Sequence, residues 1–125
     1  MFPHPCGALF AEAVRKGADP TTVVPDDYLV VRGGTKPIPA PGQTYSANVG
    51  PTLEAAAAAV AYGQIRVTTA GEVRRKGGIV EWLPEHSRHG TLNEQHVHVT
   101  ETISSVLSTP GPNPVPKKSR IDGGS

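Results

Sequence analysis

Apolar and polar residues change their spacing along the chain, and each spacing predicts a different element. Leu9, Phe10, Ala13 and Val14 recur at helical intervals within GALFAEAVRKG, which predicts a short helix over 7–17 stopped by Gly17. Asp19-Pro20 breaks the chain after it. DDYLVVR, 26–32, is rich in strand formers and ends at Gly33-Gly34, so it reads as a strand. The segment from Thr35 to Pro51, with Pro37, Pro39 and Pro41 near its start, reads as a long loop, too polar and proline-rich for the core. PTLEAAAAAVA, 51–61, predicts a helix with Thr52 as N-cap, Glu54 in the first turn and alanines in the body.

QIRVT, 64–68, alternates and reads as a strand. TTAGEVRRKGG follows as a short helix. Thr68 or Thr69 caps it, Glu72 lies near its start, Arg74, Arg75 and Lys76 lie near its end, and Gly77 stops it. That charge order suits the helix dipole. IVEWL, 79–83, is a strand, PEHSRHGT is a polar turn, and residues 94–103 form a final alternating strand. The chain from Ser108 is rich in proline and glycine and reads as an extended or disordered tail. The fold class that results is α+β, with an N-terminal helical segment (1–25), a core domain (26–107) and a tail (108–125). The core is about four mostly antiparallel strands with two to three short helices on one face.

Alternation also sorts the polar residues. In the last strand Val97 and Val99 share a side, and His96, His98 and Thr100 share the other. In 64–68, Ile65 and Val67 turn to the core, while Arg66 and Thr68 turn away. If Leu29 and Val31 face the helices, Tyr28 and Arg32 join the polar side. Merging the polar sides of all three strands predicts one surface carrying Tyr28, Arg32, Arg66, Thr68, His96, His98 and Thr100. Two imidazoles can serve as general base and general acid near neutral pH. Arginines hold phosphate and offset charge that develops on it. His96, His98, Arg32, Arg66 and Thr68 are therefore the candidate catalytic set, for metal-independent chemistry on RNA or a nucleotide.

Composition narrows the alternatives. The 125 residues carry a net charge of +1 and a pI near 8.0, so no bulk field draws nucleic acid or membrane. Fourteen glycines and thirteen prolines leave room for only a small core. Cys6 is the single cysteine, which excludes an intrachain disulfide and a cysteine-based zinc site. No apolar run reaches the roughly 18 residues of a membrane span, and MFPHPCGALF lacks the features of a signal peptide, so a cytoplasmic location is expected. His86, His89, His96 and His98 fall within thirteen residues, and a strand His-X-His with Glu85 or Glu94 occurs at metal sites. Without HExxH or a second cysteine, no metal and no cofactor is assigned.

Arg32, Thr68 or Thr69, and Glu94 or Glu101 also follow the Arg–Thr–Glu order of an ADP-ribosyltransferase, in which Arg32 would anchor the NAD phosphates. The other alternative is a non-catalytic protein-binding module that uses the proline-rich loop 36–42 and the tail segment 110–116. IRVTTAGEVRRKGGIVEWLPE followed by NEQHVHV resembles a pattern in small bacterial proteins, a strand running into TT-x-G-x-(I/V/L)-R-x-x-G, then a strand, then N-x-x-H-(V/A). This resemblance spans about residues 28–99 and implies a bacterial origin. The architecture is similar to barnase-like and colicin-like ribonuclease toxins, which implies a toxin acting on RNA with a cognate inhibitor protein as partner.

Overall fold

In the computed structural model, residues 6–60, 63–86 and 92–117 are described. They form an α+β domain in chain order α1 (Cys6–Arg15), β1 (Leu29–Gly33), β2 (Thr44–Gly50), α2 (Leu53–Ala57), β3 (Gln64–Thr69), α3 (Ala70–Arg75), β4 (Ile79–Trp82), β5 (Glu85–His86), β6 (Leu92–Asn93), β7 (His96–Thr100) and β8 (Gly111–Pro112). Six strands make one antiparallel sheet in the order β4-β7-β2-β1-β3-β8, and β5 and β6 pair in a separate two-stranded antiparallel sheet. The sheet therefore has more strands than the four that alternation in the sequence predicts.

The helix punctuation follows local chemistry. Thr52 accepts from the Ala55 N–H, and Thr69 accepts from the Glu72 N–H, so each caps one orphan donor of the first turn. Gly17 and Gly77 take positive φ of 102° and 82° at the ends of α1 and α3, a conformation open to glycine at little cost.

Two segments depart from the prediction. Thr44–Gly50 lies inside the stretch read as a loop, yet it is the strand β2 between β1 and β7, and Ala47, Asn48 and Val49 are fully buried. Asn48 is buried opposite His96, and at the exposed end of the strand the Thr44 hydroxyl bonds the Thr100 hydroxyl. Composition reads residues 108–125 as an extended or disordered tail beyond the core domain. Instead β8 pairs with β3, Val115 is buried, and the Asn113 side chain donates to the Ala57 and Val60 carbonyls. Residues 118–125 lie outside the described set.

The sheet is covered on both faces, not on one. On the first face Val30, Tyr45, Ala47, Val49, Val80, Trp82, Val97 and Val99 pack against Phe10 of α1 and Ala70 and Val73 of α3. On the second face Val31 and Ile65 pack against Ala56 and Ala57 of α2, with Leu29 and Val67 at the margin. Gly50 permits this second layer. A Cβ there would stand 2.6 Å from the Ala56 nitrogen, inside any real contact. No helix among the described residues is long and apolar enough to cross a membrane.

Candidate functional site

The strand registers place every predicted site residue. Residues directly opposite in an antiparallel ladder share a face. Asn48 stands opposite His96, Ser46 opposite His98 and Thr44 opposite Thr100, while Glu81 stands opposite His98 and Val31 opposite Asn48. His96, His98 and Thr100 therefore lie on the second face, the α2 side. Arg32 stands opposite Arg66, and Val30 opposite Thr68. Val30 belongs to the α1/α3 core, so Arg32, Arg66 and Thr68 lie on the first face.

The predicted set is thus divided by the thickness of the sheet. The arginines and Thr68 do not meet the histidines, and the single polar surface does not exist. The error has a definite source. The core side of β7, marked by Val97 and Val99, is the first face, while the core side of β3, marked by Ile65, is the second. With apolar layers on both faces, "away from the core" does not mean the same direction in every strand.

The first-face residues are held by structural contacts. Arg32 is buried, and its guanidinium donates to the Ser46 carbonyl at 2.7 Å and the Pro37 carbonyl at 3.0 Å. It also lies 4.9 Å from the centre of the Tyr45 ring. It thereby joins β1 to β2 beyond their last paired residues and anchors the proline-rich loop. Arg66 donates to the Ser108 carbonyl. Tyr28 packs against Phe10 with the two rings tilted. Thr69 is a helix cap, the Glu101 carboxylate accepts from the Val106 N–H, and the Glu94 carbonyl accepts from the Trp82 indole. Burial, then the Glu101 carboxylate, pushes the Tyr45 hydroxyl above the ordinary phenol range. Of the residues that fit an Arg–Thr–Glu order, Arg32, Thr69 and Glu101 are engaged through their side chains in holding the fold.

The second face carries a different cluster. His96 is fully buried. Its Nδ1 lies 2.6 Å from the Leu83 carbonyl oxygen. A carbonyl can only accept, so Nδ1 carries the proton and the neutral ring leaves Nε2 as a lone pair. That lone pair lies 3.5 Å from Glu85 Oε1 and has no hydrogen-bond partner among the described residues. Burial holds the imidazole below its usual pKa. The Leu83 bond and the Glu85 charge oppose that shift, and His98 and Lys36 add to it. The His98 ring meets His96 edge to face, with centroids 5.2 Å apart. His98 and Glu81 are half-buried, and so is Ser46. Lys36 is held below the usual lysine range chiefly by burial and next by Arg32, with Glu85 opposing.

Beneath this cluster lies a buried amide network. Asn93 Nδ2 donates to Asn48 Oδ1 at 2.7 Å. The Gln95 side chain donates to the Val49 and Ala55 carbonyls, which ties the turn before β7 to both β2 and α2. Glu81, Asn48 and Lys36 are site residues that the sequence does not point to. Strand pairing alone brings Glu81 and Asn48 to the histidines, and Asn48 sits in the segment read as loop.

Among the described residues no three His, Cys, Asp or Glu side chains converge as metal ligands. The side chains of His86 and His89 lie outside that set. A shallow cleft lined by Asp26, Asp27, Thr69, Glu72 and Arg74 lies elsewhere, at the start of α3. The Arg74 guanidinium there is committed to Asp26 and to the Val24 and Thr21 carbonyls. Comparisons with protein-family models, curated proteins and solved structures return no match.

Proposed function

We propose that the chain is a toxin-like enzyme that cleaves RNA by metal-independent acid–base chemistry at the histidine cluster of the second face. One observation carries this reading. Two imidazoles are in edge contact, and one has its protonation state set by its surroundings. His96 holds its proton on Nδ1 against Leu83 and offers Nε2 as a lone pair, in an environment that disfavours the imidazolium. A ring that is neutral near neutral pH is free to accept a proton there, as a general base must. His98, half-exposed and opposite Glu81, supplies the acid.

In this scheme His96 Nε2 takes the proton of a ribose 2′-hydroxyl. The 2′-oxygen bonds to the adjacent phosphorus, the bond from phosphorus to the 5′-oxygen breaks, and His98 gives that oxygen a proton. The products are a 2′,3′-cyclic phosphate and a free 5′-hydroxyl. Lys36 provides positive charge near the phosphate, a role the arginines cannot fill from the other face. Glu85 lies against Nε2, and substrate entry requires its carboxylate to swing aside.

The test is cleavage of an end-labelled RNA by purified protein in the presence of EDTA. Cleavage should fall on the order of a hundredfold or more in His96→Ala and in His98→Ala. Induced expression should arrest bacterial growth for the wild type and not for the double variant. RNA left intact by folded wild-type protein refutes the reading.

A further inference from the structure

The second face holds two buried polar atoms without a hydrogen-bond partner among the described residues, and they belong to residues directly opposite each other. Asn48 and His96 are a cross-strand pair, and both are fully buried. Asn48 Oδ1 accepts from Asn93, which identifies the other atom of that amide as Nδ2, a donor. Asn48 Nδ2 and His96 Nε2 have no hydrogen-bond partner among the described residues. Opposed side chains in an antiparallel ladder have Cβ atoms about 5 Å apart, so one small group can contact both. A buried polar group left unpaired is costly, and such exceptions concentrate where a ligand completes the set.

The two atoms specify the group. Asn48 Nδ2 is a donor and requires an acceptor. His96 Nε2 is a lone pair and requires a donor. An ammonium only donates and would leave Asn48 unpaired. A phosphate oxygen only accepts and would face both the Nε2 lone pair and the Glu85 carboxylate 3.5 Å from it. A hydroxyl does both at once. We propose that Asn48 and His96 form a subsite for a single hydroxyl, the ribose 2′-hydroxyl of the substrate, with Asn48 the positioning residue that donates to its oxygen while His96 accepts its proton. The ribose identity rests on the function proposed above. The hydroxyl chemistry rests on the two orphaned atoms. Glu85 and His98, which both lie against His96, are themselves part-exposed.

The experiment uses the four ribonucleoside 3′-monophosphates and their 2′-deoxy counterparts. None of them has a 5′-linked bond to cleave, so binding is read without turnover. Affinity is measured by calorimetry, and the ring nitrogens of His96 are followed by 15N NMR. The ribo series should bind about tenfold or more tightly, since the deoxy ligand leaves both buried atoms unpaired. Only the ribo series should move the Nε2 resonance. Asn48→Asp keeps an oxygen for Asn93 and loses the donor, so it should abolish the preference. Wild-type protein alone is decisive if that variant does not fold. Equal affinities, no binding by either series, or an unmoved His96 resonance overturns the proposal, and the last two outcomes also cover a pair that holds only a water molecule. RNA cleavage without 2′-hydroxyl preference defeats this inference and spares the function. Preference without cleavage defeats the function and leaves the hydroxyl site.

Discussion

Acidification should destabilise this fold through His96, and the size of the effect is bounded. The ring is fully buried, and burial lowers its pKa below the usual imidazole value. The unfolded chain therefore binds a proton more readily than the folded one. The stabilisation is complete above the unfolded value near 6.5 and is lost as pH falls through the lower folded value. Over that window the slope from one group cannot exceed about 1.4 kcal/mol per pH unit. For a domain of this size, each 1 kcal/mol corresponds to about 4 °C in Tm. Other groups titrate too, so the measurement is the difference between wild type and His96→Phe, which keeps a planar ring and removes both nitrogens. The variant loses the Leu83 bond, at about 1 kcal/mol independent of pH. Melting curves from pH 8 to pH 5 should show the wild type losing stability faster than the variant. Parallel profiles would refute the argument. So would a wild type that gains on acidification, because an ion pair between imidazolium and Glu85 would then outweigh burial.

Two further predictions test the division of the sheet. Arg32→Lys should lower stability by about 1–3 kcal/mol in urea denaturation, because a lysine cannot hold the Ser46 and Pro37 carbonyls together, and it should leave RNA cleavage within a few-fold of wild type. A collapse of cleavage in a folded Arg32→Lys protein would return that arginine to the site. Gly50→Ala should cost about 1–3 kcal/mol, since the new methyl meets backbone of α2 at 2.6 Å. An unchanged denaturation midpoint would show that α2 does not press on β2 there.

The residues differ in what their order along the chain could disclose. Thr52, Thr69, Gly17 and Gly77 act on neighbours within four positions, so caps and stops were legible. The period-2 alternation of HVHVT and QIRVT identified β7 and β3 and sorted each strand into two sides. Thr44–Gly50 was not legible. Three prolines precede it, and its Ser46 and Asn48 disguise a strand flanked on both edges, where the Asn48 side chain meets the buried amide of Asn93 and the Val49 carbonyl accepts from Gln95. Glu81 could be placed on the outer side of its strand, but its position opposite His98 depends on a pairing between strands fourteen or more residues apart.

What the chain determines by itself is local: hydrogen bonds within a turn, and the alternation that a pleated backbone imposes. Alternation gives two sides to each strand without saying which sides coincide. That choice belongs to the tertiary structure, because helices pack on both faces and each strand may bury either side. The register turned the histidines toward Asn48 and Glu81, and the arginines toward Tyr45 and the loops. The same ladder set Asn48 opposite His96, each with a buried polar atom that has no hydrogen-bond partner among the described residues.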